Sequence, residues 1–86
     1  MVVKTFNLTY SCGLHARPCT TLAKILKNFD AKVTINDQVD AGSVLQVLSL
    51  GVQPGLVAFK AEGKDEEVVM EAIADFIDKL NKEKNI

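Results

Sequence analysis

A chain of 86 residues can build one domain around one small core, and 48% hydrophobic with 24% charged residues is ordinary for a globular protein. Ten basic against eleven acidic residues give a net charge of −1, which leaves no basic footprint for binding a nucleic-acid backbone. No apolar run approaches the roughly 20 residues that cross a bilayer, and Met1-Val2-Val3-Lys4 lacks the pattern of a signal peptide, so a cytoplasmic chain without membrane insertion is expected. Cys12 and Cys19 are then expected to be thiols.

Apolar spacing sets the elements in chain order. Val2, Phe6 and Leu8 predict a half-buried strand over residues 2–8. Gly13 marks a loop. Pro18, Leu22, Ile25, Leu26 and Phe29 then fall on one face of a helix over residues 16–28, with Pro18 in a first turn where its missing N–H costs nothing. Ala31, Val33 and Ile35 predict a second strand, Asn36-Asp37 a turn, and Val39 with Ala41 a short third strand, together a hairpin. Ser43 suits the cap of a short helix that Gly51 ends. Pro54-Gly55 predicts a turn, followed by a fourth strand carrying Val57, Phe59 and Ala61. Asp65 suits a cap for a last helix over residues 66–82, with Val69, Ala72, Ile73, Phe76, Ile77 and Leu80 as its apolar stripe. The order β-α-β-β-α-β-α, with one apolar face per strand, predicts an α+β fold. Its four-stranded antiparallel sheet is covered by three helices on one face, and Lys4, Lys32, Thr34 and Lys60 are assigned to the wet face.

His15 is the only histidine, and it stands at the entry to the first helix. A helix N-terminus presents unpaired N–H groups and partial positive charge, an anion site worth roughly 0.3–1 kcal/mol per favourable charge. Arg17 adds a permanent cation whose hydrogen bonds to an anion are worth about 1.5–3 kcal/mol each. Nearby positive charge disfavours the imidazolium form and keeps a ring lone pair free for nucleophilic attack. These magnitudes suit a carrier, which has to hold a phosphoryl group and still release it. An ordinary exposed loop histidine is the bland alternative, and Gly13, Arg17 and Pro18 together weigh against it.

The run Gly13-Leu14-His15-Ala16-Arg17-Pro18 resembles the active-site signature of the phosphocarrier HPr family of the bacterial phosphoenolpyruvate:sugar phosphotransferase system. Ser43-Val44-Leu45 through Leu48-Ser49-Leu50-Gly51 resembles that family's second helix, and Ala61-Glu62-Gly63 with Asp65-Glu66-Glu67 its later elements, so the similarity covers essentially the whole of residues 1–86 as a single HPr-like domain. The resemblance implies an open-faced β-sandwich and a phosphoryl carrier rather than an enzyme. It implies that His15 accepts a phosphoryl group on Nδ1 from phosphorylated enzyme I and passes it to a sugar-specific enzyme IIA, with Arg17 stabilising it and no metal or cofactor. Ser43 matches the family's regulatory serine, a target of an HPr kinase/phosphorylase whose product meets a catabolite-control regulator. Val44, Leu45 and Leu48 match the family's docking patch, with Thr20, Lys24 and Lys27 beside it on the first helix. Val47 and Leu50 are expected inside, and the chain is expected to be a monomer.

Cys12, Cys19 and Gly42 depart from the family pattern, and the Asn36-Asp37 hairpin is shorter than in most members. Gly42 weakens the kinase expectation. The Cys12-x2-His15-x3-Cys19 cluster opens a rival, a carrier of zinc or copper(I), although a closed site wants four ligands. A paralogous regulatory protein that only binds partners is a second rival, against which the retained His15 counts.

Overall fold

The computed structural model describes residues 1–9, 16–51 and 55–82; of Ala16 and Arg17 it describes the backbone alone. Among these, the elements run β1 (Val2–Leu8), α1 (Ala16–Leu26), β2 (Lys32–Ile35), β3 (Val39–Asp40), α2 (Val44–Leu50), β4 (Gly55–Glu62) and α3 (Glu66–Lys82). They follow the predicted order. Residues 27 and 28 form a turn instead of extending α1. The turn at Pro54 lies outside the described residues.

The four strands make one antiparallel sheet in the order β1-β4-β2-β3. Alternation places Val57, Phe59 and Ala61 of β4 on the covered face, where each is buried. Opposite them on β1 stand Phe6, Lys4 and Val2. Lys4 is therefore paired with Phe59 on the helix-facing side, contrary to its assignment to the wet face. It stays exposed because, among the described residues, β1 is an edge strand of the sheet. Lys32, Thr34 and Lys60 do lie on the open face, in register with Glu62, Asp40 and Val3.

The core joins that face to the three helices. Leu22 and Leu26 come from α1, Val47 from α2, and Val69, Ile73 and Ile77 from α3. Phe6 and Phe59 meet edge to face, their ring centroids 5.8 Å apart. Met70 is also buried, beside Val69 and one position outside the predicted stripe.

The hairpin between β2 and β3 turns on Asn36 and Asp37, both with positive φ (53° and 56°), and Gln38 N–H donates to the Ile35 carbonyl at 3.0 Å. Two left-handed residues in succession make the turn whose twist matches the strands it joins, and Asn and Asp tolerate that conformation. Asn36 also extends the pairing with β4. Its N–H donates to the Ala58 carbonyl at 2.8 Å, and its side-chain oxygen accepts from Ala58 N–H at 2.9 Å.

Candidate functional site

α1 begins at Ala16, directly after His15 in the sequence. Pro18 is the third residue of α1, one of the first-turn positions whose N–H has no intrahelical carbonyl, so its ring costs the helix no hydrogen bond. The same helix geometry leaves the N–H groups of Ala16 and Arg17 without an intrahelical acceptor. Pro18, Cys19, Leu22, Ala23 and Leu26 are buried; Cys19, Leu22 and Leu26 join the core, and α1 packs against α2 and α3. His15 and the Arg17 side chain lie outside the described residues, as do Cys12 and Gly13.

Thr20 and Lys24 lie on the solvent side of α1 and Lys27 in the turn that follows it, and all three are exposed. α2 packs against α1. On α2, Val47 is fully buried, Val44 and Leu50 are half-buried, and Leu45 is 78% and Leu48 38% exposed. A seven-residue helix on a sheet can bury only one stripe, so Leu45 and Leu48 are left outward. The expected patch residues thus lie on two helices in contact and on the turn after the first, with exposed lysines on one side and exposed leucines on the other.

Ser43 is the N-cap of α2. Its backbone is extended (φ −103°, ψ 107°), its carbonyl accepts from Val47 N–H at 3.0 Å, and its hydroxyl accepts from Gln46 N–H at 3.4 Å. Gln46 sits where a capping box would return its side chain to the Ser43 N–H. Here that N–H donates instead to the Asp40 carbonyl at 3.0 Å, and Gln46 Oε1 accepts from Asp40 N–H at 2.9 Å. Asp40 Oδ1 in turn accepts from Gly42 N–H at 2.9 Å. Ser43 is therefore held at a corner by its backbone N–H, its carbonyl and its capping hydroxyl, and is half-buried.

Cys19 is 1% exposed, and burial pushes its thiol above the ordinary cysteine range. A metal ligand has to be a thiolate, and burial opposes that form. The Cys12-His15-Cys19 cluster thus has one of its three members committed to the core.

A groove of about 630 Å³ runs between α1 and α3, lined by Pro18, Ile25, Phe29, Phe76 and Leu80 among others. It explains why Ile25 and Phe29 are only half-buried. Its charged residues, Asp75 and Lys79, are paired with each other at 3.2 Å.

Sequence spacing passed over Asn81, a half-buried polar residue at the end of α3. Its amide donates to the Asn7 carbonyl at 2.9 Å and its oxygen accepts from Thr9 N–H at 2.7 Å. Apolar periodicity carries no signal for such a tie.

A family model described as the PTS HPr component phosphorylation site matches residues 2–79. The multiphosphoryl transfer protein of Haemophilus influenzae is 35% identical over 83 residues, covering 88% of this chain but 17% of that protein. The chain thus spans under a fifth of that relative's length. Among solved structures, HPr-C-His from Thermoanaerobacter tengcongensis is similar at a TM-score of 0.88 and 31% identity, covering 99% of this chain and 100% of the other. The phosphocarrier protein HPr of Bacillus anthracis is similar at 0.79 and 28%, covering 88% and 95%. A structure described as an HPr dimer, also from T. tengcongensis, is similar at 0.71 and 31%, covering 96% and 100%.

Proposed function

This chain belongs to the HPr family of the phosphotransferase system, whose members are phosphocarriers and not enzymes, and from that premise we propose that His15 is its phosphoryl acceptor. In this reading the Nδ1 lone pair of a neutral His15 attacks the phosphorus of a phosphorylated donor. The N–P bond forms as the bond from phosphorus to the donor's leaving atom breaks, in line with it. The same exchange then runs toward an acceptor protein. The observation that carries the proposal is where α1 starts. The N–H groups that helix geometry leaves without an intrahelical acceptor begin one residue after His15 in the sequence, donors of the kind phosphoryl oxygens need, and Arg17 follows in the first turn.

The donor proposed is phosphorylated enzyme I and the acceptor an enzyme IIA. The docking surface proposed is the exposed stripe of Thr20, Lys24 and Lys27 with Val44, Leu45 and Leu48. Residues 1–86 act as one domain and as a monomer. Regulation at Ser43 is part of the proposal. A phosphate there adds roughly −2 charge at the start of α2, which the helix tolerates, and acts by altering the face offered to partners.

Incubation with enzyme I and phosphoenolpyruvate tests the assignment. Wild-type chain should gain one phosphoryl group by mass, and His15→Ala should gain none while keeping its fold. Incorporation near wild type in His15→Ala would reject His15 as the acceptor.

A further inference from the structure

α1 and α3 pack together, and the groove of about 630 Å³ lies between them. Its lining follows one face of each helix. Pro18, Thr21 and Ile25 recur on α1, and Ala72, Phe76 and Leu80 on α3, each three or four residues apart. Phe76 and Leu80 are buried and Ile25 and Phe29 half-buried, so the floor is apolar and carries two aromatic rings. An apolar lining with few polar groups, enclosing about 300–1,000 Å³, is the usual form of a small-molecule site.

Charge selects the class of molecule. The two charged residues of the groove, Asp75 and Lys79, sit one turn apart on α3 and pair at 3.2 Å. Their side chains are 65% and 76% exposed, so the pair is weak and costs little to open. The long Lys79 stem lets its ammonium swing out to water, whereas the short Asp75 carboxylate stays beside Phe76. Two further features favour a cation there. The groove reaches the end of α1, because Asn28 and Phe29 lie just past its last residue, Leu26, and a helix C-terminus carries partial negative charge. The rings of Phe29 and Phe76 attract a cation over their faces and disfavour an anion. Lys24 and Lys27, the cations near that end of α1, do not line the groove.

We propose that the groove between α1 and α3 is a binding site for a small hydrophobic amine. Its apolar body lies against Ile25, Phe29, Phe76 and Leu80, and its ammonium takes the place of Lys79 on the Asp75 carboxylate. The proposal does not rest on His15 being the phosphoryl acceptor.

The test is a ¹⁵N NMR titration of the full chain with 2-phenylethylamine at pH 7. 2-Phenylethanol and 3-phenylpropanoate serve as neutral and anionic molecules of similar shape. The amine should shift the signals of Ile25, Phe29, Ala72 and Phe76, and bind about twofold or more tighter than the alcohol, with the anion weakest. Asp75→Asn should weaken the amine roughly two- to fivefold and leave the alcohol unchanged. Lys79→Ala removes the competing ammonium and should tighten the amine by a similar factor. Both positions are exposed, so both variants should keep the fold, which their unliganded spectra check. Four results would each overturn the proposal: no shifts in the groove, shifts confined to other surfaces, an alcohol bound as tightly as the amine, or a preference for the anion that Lys79→Ala abolishes.

Discussion

The Asp65 carboxylate accepts a hydrogen bond from the backbone N–H of Asp30 at 2.7 Å, while the Asp65 N–H donates to the Asp30 carbonyl at 3.0 Å. This reciprocal pair joins the connection after α1 to the start of α3. Beside it, Gly63 has φ +139°, and a Cβ there would lie 2.9 Å from both the Asp30 carbonyl oxygen and the Ala31 Cα. The corner therefore needs glycine for conformation and for space.

Asp65→Ala should destabilise the fold by about 1–2 kcal/mol, the worth of a charge-assisted hydrogen bond at a partly exposed site. Gly63→Ala should cost more than about 1 kcal/mol, because both strain and a backbone clash act. Urea unfolding checks both, and a wild-type midpoint in either variant would contradict the clamp.

Leu45 and Val47 sit two residues apart on α2 with opposite burial. Val47→Ala should cost roughly 2 kcal/mol in urea unfolding, as a core truncation does. Leu45→Ala should change stability by less than about 0.5 kcal/mol. Its effect should appear as a raised KM for phosphoryl transfer with enzyme I or enzyme IIA, and an unchanged KM would remove Leu45 from the docking face.

Lys60 pairs with Asp37 at 2.7 Å across the open face. The hydrogen bond and charge of Asp37 hold the Lys60 ammonium above its ordinary range. A raised lysine pKa means that the folded state keeps its proton longer than the unfolded chain does. The stabilisation is thus complete below the usual lysine value of about 10.4 and is lost as pH rises through the folded value. Asp37→Asn should flatten that alkaline decline in thermal stability. An identical decline in the variant would show that the pair contributes nothing.

Cys19 should resist alkylation by iodoacetamide at pH 8 in a Cys12→Ser background, and react once the chain is unfolded in urea. Its burial and raised thiol pKa act in the same direction. Rapid labelling of the native protein would return Cys19 to the list of accessible ligands.

Most of this fold was legible because each element carries its own period. The alternation of Val57, Phe59 and Ala61 and the helical spacing of Ile73, Phe76, Ile77 and Leu80 describe burial directly. Lys4 was misassigned because a charged side chain suggests the wet face, whereas strand parity places it opposite Phe59; an edge position reconciles the two. Met70 was missed because the buried stripe of α3 is wider than a strict one. On the site side, helix start and cap at Pro18 and Ser43 follow local rules. The Asn81 tie and the Asp30–Asp65 pair span 72 to 74 and 35 residues respectively, and no local pattern encodes them.

The most direct measurement is heteronuclear NMR of ¹⁵N-labelled chain after exposure to enzyme I and phosphoenolpyruvate. A phosphoryl group bonded to Nδ1 of His15 is the expected product. Phosphorus found on another residue, or on Nε2, or not incorporated at all, would contradict the proposal that His15 is the phosphoryl acceptor.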